Sequence, residues 1–333
     1  MYNSRIFVDD DGYIVASTDY DGLVAFYLKN NNVFIEKKLY EHKKNYIFKE
    51  KPRSGVISAL FFFKDEFNSI SKYETNLYRY DALENLLKEI YVTKIAEGEN
   101  YSLTHYNQNS DITFITFNGT KTTKKTIPFG MSFIIKNGWN LISVAQDNDT
   151  QYQDLSLEVF HNVISPVIIK KEVYAYGVSL GGYCALYYGG SIDATIIAAS
   201  PKNSAHPSIN LTRFQKLNFN HKSFSEIPVT KKKVYITYDP TINADKNFIF
   251  NIISSAYLHP EYLPIANGTH MILQSFLKAD ILKLYIYSIV YNQYDSDIAN
   301  YITAKCMYSQ KRYNEAFNVI DVLTKKFIFS KIE

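Results

Sequence analysis

Between about residues 110 and 290 the chain alternates short apolar runs of strand length with segments of helical spacing, and this alternation is its tightest constraint. Segments 112–117, 141–145, 173–176, 195–199, 234–238 and 262–266 read as strands. Segments 128–137, 155–164, 180–188, 248–257 and 271 onward read as helices. Such a pattern closes as a mostly parallel sheet flanked by helices, because each strand must be buried on both faces. An α/β fold is therefore expected over residues 106–290, with the polar, aperiodic stretch 201–230 as a cap or lid.

The flanks read differently. Residues 1–105 look β-rich: Asp11-Gly12 and Asp21-Gly22 are hairpin-type turn pairs, followed by apolar runs at 13–16 and 23–27. Asn30 to Asn32 makes a third turn before 33–35, and 56–63 is a further strand. Leu83, Leu86, Leu87 and Ile90 stand at helical spacing and predict a helix over 80–90. Residues 291–333 form a helical appendage, within a largely helical end that starts near residue 280. Ala304, Tyr308, Tyr313, Ala316 and Phe317 have the spacing of a helical hairpin, similar to one tetratricopeptide unit without a second copy.

Composition removes several function classes. A formal charge of +3 without a dense Lys/Arg face argues against nucleic acid as a partner. The sequence contains neither a G-x-x-x-x-G-K-[ST] loop nor a dinucleotide fingerprint, so nucleotide hydrolysis and hydride transfer find no support. No uncharged apolar run reaches the roughly 18 to 20 residues of a membrane span, and the N-terminus lacks the apolar core of a secretory signal. A cytoplasmic protein is expected. Cys184 and Cys306 lie far apart, which implies neither a disulfide framework nor a zinc site. Asp9, Asp10 and Asp11 ahead of Gly12 fit a hairpin turn better than a calcium loop, whose other ligand positions are missing. No metal and no resident cofactor are expected. The 29 Tyr and 22 Phe fit an AT-rich coding bias, and are also compatible with amphipathic platforms for sugars.

The sharpest local signal is Tyr176-Gly177-Val178-Ser179-Leu180-Gly181-Gly182, set between an apolar strand and an apolar helix. A serine on so tight a strand-to-helix turn holds strained backbone angles, and the glycines let strand and helix approach without Cβ clashes. Its hydroxyl then stands above the sheet at a helix N-terminus, where developing negative charge is favoured. Asn267-Gly268-Thr269-His270, after the last strand, presents His270 as the base for Ser179. The acid should follow the strand at 234–238. Asp245, in a loop just ahead of a helix, is favoured over Asp239, which abuts the strand and is stiffened by Pro240. The order serine, acid, histidine differs from the orders of chymotrypsin and subtilisin. Oxyanion donors are expected from the Leu180 N–H and from Asn118 or Gly119 after the strand at 112–117.

On these residues the chain resembles the α/β-hydrolase superfamily of the serine nucleophile-elbow type, over roughly 110–290. Thr116-Phe117-Asn118-Gly119, the elbow, Tyr238-Asp239-Pro240 and Asp245 together resemble a bacterial branch linked to surface polysaccharides, which includes capsule O-acetyltransferases. That resemblance implies acetyl transfer from acetyl-CoA, as co-substrate, to a glycan hydroxyl. A carbohydrate esterase or deacetylase would share the first half-reaction. A non-catalytic binding or scaffold module is the reading from another class, and the intact serine, histidine and acid candidates speak against it.

Overall fold

The computed structural model describes residues 2–209 and 211–329. The N-terminal part is two antiparallel sheets. Strands β1 (Ser4–Val8), β2 (Ile14–Thr18) and β5 (Asn45–Ile47) make the smaller one. The larger contains β3 (Leu23–Asn30), β4 (Val33–Glu41), β6 (Gly55–Lys64), β8 (Tyr78–Asp81) and β9 (Leu86–Glu89), with β7 (Ile70–Glu74) also paired to β6. They share a core of Ile6, Ile14, Phe26, Phe48, Phe61 and Phe63. At the first hairpin the Asp9 carboxylate accepts the backbone N–H groups of Asp11 (3.2 Å) and Tyr13 (2.7 Å), the turn chemistry expected there.

The helix expected over 80–90 is instead the β8–β9 hairpin. Tyr80 lies opposite Leu87 and packs into the N-terminal core. Leu83, which a helix would have buried, is 95% exposed at the turn. Asp81 accepts the Leu83 N–H there at 3.0 Å, and Asn85 takes a φ of 47°. Turn chemistry outweighed the leucine spacing.

The large sheet contains β10 (Tyr91–Glu97), β11 (Tyr101–Asn107), β12 (Ile112–Phe117), β13 (Asn140–Gln146), β14 (Glu172–Val178), β15 (Thr195–Ala199), β16 (Val234–Tyr238) and β17 (Glu261–Pro264). Their order is β10-β11-β13-β12-β14-β15-β16-β17. The six strands from β12 to β17 run parallel, while β10 and β11 form an antiparallel edge. The sheet thus takes in β10 and β11, whose residues up to 105 the sequence pattern groups with the N-terminal part.

Side chains alternate across β14. Ala175 faces one layer, with α2 (Leu157–Ile164), α3 (Leu180–Gly189) and α4 (Asn243–Asn251). Tyr174 and Tyr176 face the other, with α1 (Met131–Lys136), α5 (Ile272–Lys278) and α6 (Leu282–Val290). This is an α/β fold, with a mixed sheet whose strands are mostly parallel. Helices α7 (Ser296–Ser309) and α8 (Tyr313–Phe329) pack together, and α7 also lies on α5 and α6. Among the described residues no helix is long and apolar enough to cross a membrane.

Among its described residues the stretch 201–230 has little regular structure beyond two short 3-10 turns, yet it is pinned by His221. That ring stacks on Tyr187, with centroids 4.2 Å apart. His221 Nε2 lies 3.1 Å from the Tyr152 carbonyl, which can only accept, so Nε2 carries the proton. Nδ1 then accepts from the Tyr183 hydroxyl at 2.9 Å. Burial of this neutral ring pushes its pKa down to about 4. The unfolded chain, titrating near 6.5, binds the proton more readily than the folded one. Stability should therefore be full above pH 6.5, fall as the pH drops toward 4, and lose about 3 kcal/mol in all. Urea titrations across that range on wild type and His221→Gln check this: the variant should lose the fall that wild type shows.

Candidate active site

The site is built first by steric necessity. A Cβ on Gly177 would lie 2.2 Å from the Gly181 carbonyl carbon, and one on Gly181 would lie 2.5 Å from the Phe117 oxygen. Only glycine lets the end of β14, the start of α3 and the end of β12 meet this closely. Ser179, between them, adopts φ 54° and ψ −118°, a conformation that costs a side-chain-bearing residue about 1–3 kcal/mol. Its backbone is held on both sides: the N–H donates to the Ala199 carbonyl (2.8 Å), and the carbonyl accepts from Tyr183 (2.9 Å) and Lys202 (3.1 Å).

His270 arrives on the loop after β17, where Asn267 and Thr269 take φ of 60° and 63°. Its Nε2 is 2.8 Å from the Ser179 Oγ, and its Nδ1 is 2.6 Å from the Asp245 Oδ2. The three residues expected from sequence thus form one unbroken hydrogen-bonded line. Asp245 is fully buried, in the first turn of α4, which begins earlier than the helix expected at 248–257. Asp239, the alternative acid, is spent elsewhere. Its Oδ1 accepts from the Thr241 backbone (2.9 Å) and hydroxyl (2.7 Å), and its Oδ2 accepts the Thr269 N–H at 2.8 Å. It braces the histidine loop one residue before His270.

Burial pushes the Asp245 carboxyl up, but the hydrogen bond and charge of His270, together with Lys202, outweigh it and leave the pKa below its ordinary value. The carboxylate therefore stays ionised and able to orient the imidazole. Lys202 Nζ lies 3.1 Å from Asp245 Oδ1, so one residue holds both Asp245 and, through its backbone, Ser179. Sequence reasoning missed it, because a lysine in a polar stretch gives no signal. It also missed Gln310 and Arg312, in the turn between α7 and α8. Gln310 Nε2 donates to the Asn267 carbonyl (3.1 Å) and Arg312 Nη1 to the Ala266 carbonyl (3.3 Å). The helical appendage thereby grips the histidine loop.

Leu180, next after Ser179, opens α3, where first-turn N–H groups have no acceptor within the helix. Asn118 and Gly119 follow β12 beside it. Asn118 Oδ1 accepts the Phe129 N–H at 3.0 Å, and its buried Nδ2 has no protein partner. The Gly119 carbonyl is fixed by Thr122 Oγ1 (2.7 Å) and Gln146 Nε2 (3.0 Å), and a Cβ on Gly119 would meet no atom within 4 Å. Its backbone therefore borders open space. Rival nucleophiles are ill placed: burial pushes the Cys184 thiol far up and the Cys306 thiol up to about 12. His161 bonds to the Ser191 carbonyl and His206 to Ser208, away from Ser179.

No protein-family model and no curated sequence matches the chain. Among solved structures it is similar to the capsule O-acetyltransferase of Neisseria meningitidis serogroup A, at 12% identity and a TM-score of 0.42, covering 58% of this chain and 92% of that one. It is also similar to dienelactone hydrolase from Anabaena variabilis, at 11% identity and a TM-score of 0.39, over 59% of this chain and 94% of that one. A third is MGS-MChE2, an α/β hydrolase from a lagoon-sediment metagenome of Mar Chica, Morocco, at 11% identity and a TM-score of 0.37, over 61% and 99%. At such scores the likeness is slight, and the functional reading rests on the geometry of the site.

The two aspartates should separate cleanly. Asp245→Asn should slow reaction of Ser179 with an active-site phosphonylating reagent by about 10⁴-fold, through loss of the correct histidine tautomer. Asp239→Asn, which loosens a loop but leaves the line intact, should slow it by about tenfold. Pseudo-first-order inactivation rates on both variants provide the check, and the reverse ranking would reassign the acid.

Proposed function

We propose that the protein is a serine-dependent acyl-transfer enzyme that works through an acyl-enzyme. The observation that carries this is the continuous Ser179–His270–Asp245 line with its serine on a strained turn. His270 Nε2 takes the Ser179 proton as Oγ attacks the acyl carbonyl, and the carbonyl electrons move onto oxygen. The Leu180 N–H, with the Gly119 N–H or the Asn118 amide, receives that oxyanion. When the tetrahedral centre collapses, the imidazolium gives its proton to the leaving thiol or alcohol. An acceptor hydroxyl, deprotonated by the same histidine, then releases the acyl group. Asp245 keeps Nδ1 protonated and stabilises the imidazolium throughout.

The sequence resemblance supports acetyl-CoA as the donor and a sugar hydroxyl of a bacterial surface glycan as the acceptor. Hydrolysis, as in a carbohydrate esterase, shares every step up to the acyl-enzyme. The exposure of the His270 side chain, 34%, favours it as the second reading, because water reaches the base. Brief incubation with an aryl acetate and acid quenching should add the mass of one acetyl group to wild type and none to Ser179→Ala. Repeating the turnover with and without added oligosaccharide separates transfer from hydrolysis: acetylated sugar formed at the expense of free acetate identifies a transferase. Acetylation of Ser179→Ala to the same extent would contradict the mechanism.

A further inference from the structure

A cavity of about 320 Å³ opens between β14, the loop ahead of α1, and helices α5 and α6. Its wall includes Phe129, Val178, Met271, Leu277, Leu282 and Ile286. Of all its lining side chains, only those of Tyr176 and Gln274 carry a polar group. Each part of the proposed chemistry borders it through a neighbour. Val178 immediately precedes Ser179, and Met271 immediately follows His270. Phe129 is tied to the oxyanion loop by its N–H bond to Asn118. Ser179 and His270 do not themselves line the hollow, but its wall includes the residue next to each of them and the residue bonded to Asn118, a position suited to the part of a substrate that lies beyond the reacting carbonyl.

We propose that this cavity holds the alkyl chain of the acyl group carried by Ser179, and that the preferred donors are esters or thioesters of medium-length straight-chain acids rather than of acetate. The inference rests on the acyl-enzyme reading and changes its donor. An acetyl group brings in one methyl, about the volume of one water at ~30 Å³, roughly a tenth of the space available. A longer chain fills it and removes its apolar wall from water, and each buried methylene adds to transition-state binding. The partly exposed Met271 and Leu277 mark the rim by which a chain enters.

The experiment is a chain-length series of p-nitrophenyl acetate, butyrate and octanoate, all below their micelle concentrations. The enzymes are wild type, Leu282→Trp and Leu277→Trp, with Ser179→Ala as the blank. For wild type, kcat/KM for octanoate should exceed that for acetate by about tenfold or more. Filling the cavity with Leu282→Trp should cut the octanoate-to-acetate ratio at least fivefold. Leu277→Trp, on the exposed rim and tolerant of a larger side chain, should lower that ratio in the same direction. Ser179-dependent turnover that favours acetate, with a ratio indifferent to both tryptophans, would overturn the cavity assignment and leave the acyl-enzyme standing. Absence of Ser179-dependent turnover on every ester would bring down the acyl-enzyme reading and this inference together.

Discussion

The close approach of three backbones at Gly177, Gly181 and Phe117 is the constraint on which the rest of the site depends. No side chain fits between the end of β14 and the first turn of α3, so the chain must reverse at a single residue. Ser179 absorbs that reversal in its φ and ψ. The cost is local and of the order of 1–3 kcal/mol. Central parallel strands, buried on both faces, supply the rigidity that sustains it. In return the hydroxyl is fixed relative to the helix N-terminus and to the end of β12, before any substrate arrives. Pre-organisation of this kind is what lets donors act on a developing oxyanion without rearranging.

Around that rigid point the remaining groups come from loops, and each loop is held by more than its own sequence. The histidine loop is tethered by Asp239 from the β16 side and by Gln310 and Arg312 from the helical hairpin. Asp245 is held between His270 and Lys202. The hairpin, which looks like an appendage in the sequence, thus reaches the loop that carries His270. The segment 201–230 is likewise tied down, at Lys202 beside the serine, at His221 against the tyrosines of α3, and at Thr230 on Asp193.

Much of this was legible in the sequence, for identifiable reasons. Strands β12 to β17 are buried on both faces and read as plain apolar runs. The elbow is recognisable because its steric demands dictate glycine at fixed offsets. His270 and Asp245 could be placed by their positions after particular strands. The choice between Asp245 and Asp239 turned on hydrogen bonds that no spacing encodes, since both are buried and both follow β16. The leucines at 83–87 misled because an exposed turn leucine carries the same letter as a buried helical one. Lys202, Gln310 and Arg312 left no trace, for they act through one or two long-range bonds to backbone or to a carboxylate. The apolar cavity also escaped notice, because its walls come from four separate stretches of chain.

The central claim is that Ser179 is activated by His270, and intact mass after treatment with a fluorophosphonate reagent tests it most directly. Wild type should gain one adduct, Ser179→Ala none, and His270→Ala should gain it far more slowly. A folded wild-type protein that gains no adduct would contradict the claim, as would a Ser179→Ala variant that is labelled as fast as wild type.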